Sequence, residues 1–152
     1  MALTPKLSVE ATLSVSVGVP ATFDAAGYGA LTYTEVGQVD SIGNFGATFQ
    51  SSDFTPLKTG LVQILLGSKK NGTVTVSMAD IPDDAGQILF QAATTGGTQR
   101  DLHAIKIVDS HGYTEYFQAY IGKFEKQMGD ANKVKMRSAE LMINTEIVTD
   151  AP

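Results

Sequence analysis

From Leu7 to Val19 apolar and polar residues alternate without a slip: Leu7, Val9, Ala11, Leu13, Val15, Val17 and Val19 against Ser8, Glu10, Thr12, Ser14, Ser16 and Gly18. Successive strand side chains point to opposite faces, so this spacing predicts a long strand with one apolar and one wet face. A helix of the same residues would scatter its apolar groups around the whole circumference and restrict the β-branched rotamers. The same alternation returns over Leu31 to Val39 and, after the Asn71-Gly72 turn signal, where Thr73, Thr75 and Ser77 oppose Val74, Val76 and Met78. Further strands are expected over Leu102 to Val108 and over the aromatic-rich stretch from Tyr113 to Phe124.

Other segments break the pattern. Gln50 to Gly60 carries Ser, Thr, Asp and Pro56, a residue that cannot donate to a ladder, and predicts a loop or projecting arm. Leu61 to Leu66 is a short apolar run for which periodicity does not separate buried strand from buried helix, and a buried strand is expected. Asp80, Asp83 and Asp84 with Pro82 open one helix over about 82–94, its apolar face formed by Ala85, Ile88, Leu89 and Ala92, and Gly96-Gly97 stops it. In the last strand Val134 and Met136 oppose Lys133, Lys135 and Arg137, but beyond Ser138 the apolar set moves to Ala139, Leu141, Ile143 and Ile147. With a period of two, such a flip requires a bulge or a change of packing environment. A flexible end is expected over about 149–152.

With 152 residues, 43% of them hydrophobic and 18% charged, the chain suits one folded domain spanning 1–152 that needs no covalent staple. The absence of Cys removes disulfides, thiolate metal sites and cysteine nucleophiles together. No basic-then-apolar leader opens the chain and no apolar run is long enough to cross a bilayer, so no membrane insertion is expected. A net charge of −5 disfavours affinity for nucleic acid through phosphate neutralisation, without excluding contact with DNA that is not bound.

Candidate chemistry is sparse. His103 and His111 flank a predicted strand, and Glu115 would be a third metal ligand, but the spacing lacks the fixed geometry of a helical His pair. No Ser sits in a nucleophile elbow, and Gly96-Gly97 follows a helix and lacks the Lys of a phosphate-cradling loop. Catalytic, cofactor and metal sites are therefore not expected. Lys123, Lys126, Lys133, Lys135 and Arg137 form the sole basic cluster, diluted by Glu125 and Asp130, and fit a solvated hairpin or a charge-complementary subunit contact better than a nucleic-acid surface. Phe54, Pro56 and Leu57 are apolar groups on a polar projecting segment, which either fold back on their own domain or dock on a neighbour.

In order, the run Gly60 to Gly72 leading into Thr73-Val74-Thr75-Val76, the helix start Asp83-Asp84-Ala85-Gly86-Gln87, and Gly122-Lys123-Phe124 followed by a strand ending at Ile143 to Val148 resemble the major tail tube proteins of long-tailed bacteriophages. The likeness extends to the wider superfamily that includes type VI secretion tube proteins, and it covers about Val36 to Val148. It implies a mainly β fold: an antiparallel β-sandwich or barrel-like subunit with one flanking α-helix and a projecting loop, assembled as stacked hexameric rings. A closed ring would remove the exposed edges of long alternating strands. The resemblance also implies a tape-measure protein and a tail terminator as partners, a place in the virion tail after assembly in the host cytoplasm, and DNA passing without specific binding.

On that expectation Glu10, Glu35, Glu115, Glu140 and Glu146, each placed in or beside a predicted strand, face a channel that repels phosphate weakly, while Phe54, Thr55, Pro56, Leu57 and Lys58 make oligomer contacts. The competing expectations are a secretion-system tube and a monomeric β-sandwich that binds carbohydrate or mediates adhesion, with Tyr113, Tyr116 and Tyr120 as a stacking platform.

Overall fold

The structure, a computed structural model, describes residues 4–152. Its strands are β1 (Thr12–Ser16), β2 (Thr34–Glu35), β3 (Val39–Ile42), β4 (Thr48–Phe54), β5 (Gln63–Lys70), β6 (Thr73–Ala79), β7 (Leu102–Val108), β8 (Thr114–Gln127), β9 (Met136–Ile143) and β10 (Val148–Asp150). Two helices interrupt them, α1 (Ala25–Gly29) and α2 (Ala85–Thr95). The main sheet is antiparallel and ordered β2-β1-β7-β8-β9-β6-β3, with β10 added to β8, while β4 and β5 form a separate two-stranded sheet. The expected mainly β architecture with one substantial helix is therefore present.

The sheet curls almost shut. β2 and β3 lie at its opposite edges, yet only residues 36–38 join them, a link that spans at most about 14 Å. Val36 N–H donates to the Leu13 carbonyl on one side of this seam, and Ala79 N–H donates to the Gln38 carbonyl on the other. The inward rows consequently share one core: Leu13 and Val15 from β1, Val74, Val76 and Met78 from β6, Ile105 and Ile107 from β7, Phe117 from β8 and Leu141 from β9. In a flat sheet β1 and β6 would stand about 19 Å apart. Helix α2 closes one end of this barrel-like body with Phe90 against Phe124, and Phe45 meets Phe117 near the other end. Outside the β7–β8 wall a second small cluster joins Tyr28, Leu31 and Tyr33 to Ala104, Tyr116 and Val148.

Several expectations change. The alternating stretch 7–19 pairs only over Thr12–Ser16; Leu7, Val9, Val17 and Val19 are exposed, and Glu10 sits in a turn at φ 73°. Nor is the polar row wet, because Ser14 and Ser16 are buried. The stretch 31–39 supplies two short strands at opposite sheet edges instead of one strand. Leu61 to Leu66 does enter a strand, but every residue of β5 is exposed, so the expected buried strand is not found. Residues 148–150 pair with Thr114–Tyr116 as β10 where a loose end was expected.

The flip of parity lies in β8, not in the last strand. β9 pairs with β6 in unbroken register, and Arg137, Ala139, Leu141 and Ile143 all point the same way. On β8 the register shifts between Ile121 and Lys123, so the inward row runs Phe117, Ala119, Ile121 and then Phe124 and Lys126. Gly122 is the inserted residue of the bulge. Arg137 broke the expected pattern because it is a charge facing the core side, where its guanidinium stacks 4.4 Å from the Phe124 ring centre and its Nε donates to Asp80 at 2.9 Å. Asp80, expected as a helix-start acid, is instead a buried carboxylate; the helix begins at Ala85 and is capped by Asp84.

Candidate functional site

β4 and β5 stand away from the barrel as a ribbon whose strand residues are all exposed. Their register puts Phe54, Gln63, Ser52 and Leu65 on one face and Asp53, Ile64, Ser51 and Leu66 on the other. Both faces therefore carry large apolar groups, with Ile64 68% and Leu66 69% exposed. Runs of this kind belong to strands covered on both sides. The tip adds Leu57, which has no cover at all, and Leu61 and Val62. Gly60, at φ 63°, turns the chain there and its N–H donates to the Pro56 carbonyl.

The ribbon is fixed at its base. Lys69 Nζ lies 2.8 Å from Glu146 Oε2, and Asn71 Nδ2 donates to the Thr145 carbonyl at 2.8 Å. Of the arm residues singled out from sequence, Phe54 ends β4 and Thr55 to Lys58 form the tip, so they stay together on one projecting element. Ile64, Leu65 and Leu66 belong to the same surface; the sequence signal was the apolar run itself, whose solvent exposure periodicity does not reveal.

A second surface is the outer face of β6, β9 and β8. Cross-strand partners Thr75, Glu140 and Lys123 form one row, and Ser77, Ser138 and Glu125 form the next, with Ser41 of β3 beside Ser77. Lys123 Nζ lies 3.4 Å from Glu125 Oε2, so its charge is balanced within the face. The hydroxyl-rich wet face first expected at 7–19 is found here instead.

The five glutamates do not share one surface. Glu140 lies in this polar face, while Glu35 lies on the outer side at the β2 edge opposite Ser14. Glu115 is on the inward row of β8 opposite Ile107, Glu10 is in the turn before β1, and Glu146 holds the arm's base. The basic cluster is divided as well: Lys126 and Arg137 turn toward Asp80, Lys123 joins the polar face, and Lys133 and Lys135 remain exposed on the β8–β9 connection. His103 is buried with Nδ1 3.0 Å from the Asp101 carbonyl oxygen, whereas His111 Nε2 lies near the Thr4 carbonyl, so the two imidazoles and Glu115 are not assembled into one site. Tyr116 is 6% exposed and stacked on Tyr28 at 5.5 Å, which removes the central member of the expected tyrosine platform.

No family model and no curated protein matches the sequence. The fold, in contrast, matches solved structures along nearly its whole length. A chain of the anti-feeding prophage baseplate superposes with a TM-score of 0.71 at 13% identity, covering 99% of this chain and 98% of that one. A chain of the sheath/tube terminator of the extracellular contractile injection system PVC gives 0.68 at 11% identity, covering 99% and 100%. The SPP1 tail tube gives 0.67 at 15% identity, covering 97% of this chain and 80% of that chain. The protein thus has the fold found in phage tail tubes and in tube components of contractile injection systems.

Proposed function

We propose that the protein is a structural tube subunit, which polymerises as stacked hexameric rings around a bore that conducts DNA in a phage tail. The observation that carries the proposal is the arm: an apolar ribbon uncovered on both faces is completed by other subunits. An isolated two-stranded ribbon is marginal in water, so its partners must come from outside the chain. Six-fold arrangement is supported by the C6 symmetry of the gene transfer agent tail, whose chain shares the fold at a TM-score of 0.62, 11% identity and 91% coverage of this chain.

The polar outer face of β6, β9 and β8 is the surface suited to the bore. Hydroxyls and a slight excess of carboxylate over amine give phosphate no cationic grip, because each unbalanced Lys or Arg would add affinity and drag. Glu140 is the glutamate of the five that fits this role. Tape-measure and terminator proteins are the expected partners, the virion tail the expected place after assembly in the host cytoplasm, and no catalytic step is needed. The same subunit would serve a secretion tube; the glycan-binding reading loses its platform with Tyr116 buried.

Electron micrographs of the concentrated protein are expected to show rings or tubes with an axial hole and six-fold averages. Replacing Phe54 and Leu57 together by Ser should leave the monomer folded and abolish the tubes. Tubes that persist in that variant would remove the arm from the assembly contact, and particles that stay single at every concentration would overturn the tube.

A further inference from the structure

The two ends of β8 carry opposite chemistry. Beyond Gln127 the chain projects as an exposed finger, residues 128–135, closed by an Asp130 turn in which the carboxylate accepts from Asn132 N–H and the carbonyl from Lys133 N–H. The finger displays Met128 and Val134, both largely exposed, together with Lys133 and Lys135, which have no ion-pair partner among the described residues. At the Thr114 end lies a groove of about 280 Å³ with an apolar floor of Val39, Ile42, Phe45 and Ile107 and a rim bearing Asp40, Asp109 and Glu115. The groove is lined by no Lys or Arg, and Lys6 Nζ, beside Asp109 in the fold, donates to the Ser110 carbonyl at 3.4 Å.

Fourteen residues of strand separate these features by about 40 Å, so a chain cannot seat its own finger in its own groove. The charge distribution is equally polar. Residues 123–137 hold five basic and two acidic side chains, which leaves six basic and fourteen acidic for the remainder.

We infer that the finger of one copy docks in the acidic-rimmed groove of a second copy, with Val134 and Met128 on the apolar floor and Lys133 and Lys135 against Asp40 and Glu115. This contact rests on the reading of the protein as a self-assembling subunit and names a partner surface within it. It is head-to-tail: each copy uses one pole to bind and offers the other, so the contact repeats through the assembly instead of closing a dimer. Opposite charges at the rim set the register and speed of association, and like charges there reject docking.

Charge reversal tests it. A finger variant, Lys133→Glu with Lys135→Glu, and a groove variant, Asp40→Lys with Glu115→Lys, are each expected to be folded at the assay temperature, the finger variant melting lower because Lys135 supports the buried Asp80 carboxylate, but to need about tenfold or more protein to form rings or tubes. Mixed in equal amounts they should assemble again, because the acidic finger meets the basic groove and the basic finger meets the acidic groove. One chain carrying all four reversals should assemble alone. Variants that assemble singly as wild type does, or a mixture that stays unassembled while wild type forms tubes, would overturn the contact and leave the tube intact. A wild-type protein that never assembles would overturn the tube reading instead.

Discussion

Asp80 and Arg137 hold opposite charges beneath α2, where the carboxylate side chain is 1% and the guanidinium side chain 13% exposed. Burial alone would push the Asp80 carboxyl up, but the Arg137 hydrogen bond and the charges of Lys126, Arg137 and Lys135 outweigh it and hold the carboxyl below the usual carboxylate range. A carboxylate held low stabilises the fold above its unfolded pKa, and that contribution is lost as the pH falls through the folded value. Arg137 also donates to Gln91 Oε1 at 2.6 Å, tying β9 to the helix. Replacing Arg137 by Met keeps the apolar stem but leaves the carboxylate with Lys126 at 3.6 Å as its one ion-pair partner among the described residues. The expected cost at neutral pH is about 3 kcal/mol, read from urea unfolding. It should shrink as the pH is lowered toward 4, because protonation then relieves the stranded carboxylate; a deficit constant over that range would contradict this account.

At the scale of elements, α2 is held by its first turn. Asp84 Oδ2 accepts from Gln87 N–H and from Gly37 N–H, each at 3.1 Å, so one carboxylate caps the helix and fastens it to the seam between β2 and β3. Gln87 then bridges Ile81 N–H, the Ala79 carbonyl and the Gly37 carbonyl. Gly86 lies so close to the seam that an added Cβ would fall 2.6 Å from Val36 Cα. Asp84→Ala should cost about 2 kcal/mol, at the upper end for a cap because two N–H groups lose their acceptor. The exposed Asp83→Ala should change stability by less than about 0.5 kcal/mol, and equal melting shifts for the two would be inconsistent with a cap at Asp84. The helix was legible in extent, because capping acids and a terminal Gly-Gly agreed within about three residues of its observed ends, but its buried face is Gly86, Gln87, Phe90 and Ala93, not the expected Ala85, Ile88, Leu89 and Ala92, and Ile88 is exposed. The strands were legible where one face is core, as at Thr73–Ala79 with its alternating buried Val74, Val76 and Met78. Alternation failed at Leu7 and Val9, since it records a capacity to form a strand and not the presence of a partner to pair with. The bulge was inferred from the right rule and assigned to the wrong strand, because Arg137 is a core-side charge and Gly122 leaves no mark on hydrophobic periodicity. The assembly surface was half legible: Phe54 and Leu57 stand out among polar neighbours, whereas Ile64 to Leu66 look like core until the ribbon is seen to have none beneath it.

Across the whole molecule the arm and the barrel answer to different energetics. The core cluster draws on β1, β6, β7, β8, β9 and α2 and includes no residue of β4 or β5. The arm therefore contributes little to folding of the single chain and leaves a large unfavourable apolar exposure that association can relieve. Because its two faces point in opposite directions, one flat neighbour can cover only one of them; both are covered when the ribbon inserts between two surfaces, as subunits in stacked rings would provide. Ile64→Thr with Leu66→Thr tests one face, and Phe54→Thr with Leu65→Thr tests the other, with Thr chosen to keep strand propensity. Losing two buried apolar side chains is worth about 3 kcal/mol, so either pair should raise the protein concentration needed for assembly about a hundredfold. The monomer's melting should be unchanged in both, as seen by circular dichroism below the assembly threshold. If one pair assembles like wild type, the ribbon lies flat on a single neighbour with its other face in solvent. If either pair lowers the melting temperature as a core substitution would, the arm is a folding element and the separation of fold from assembly is wrong.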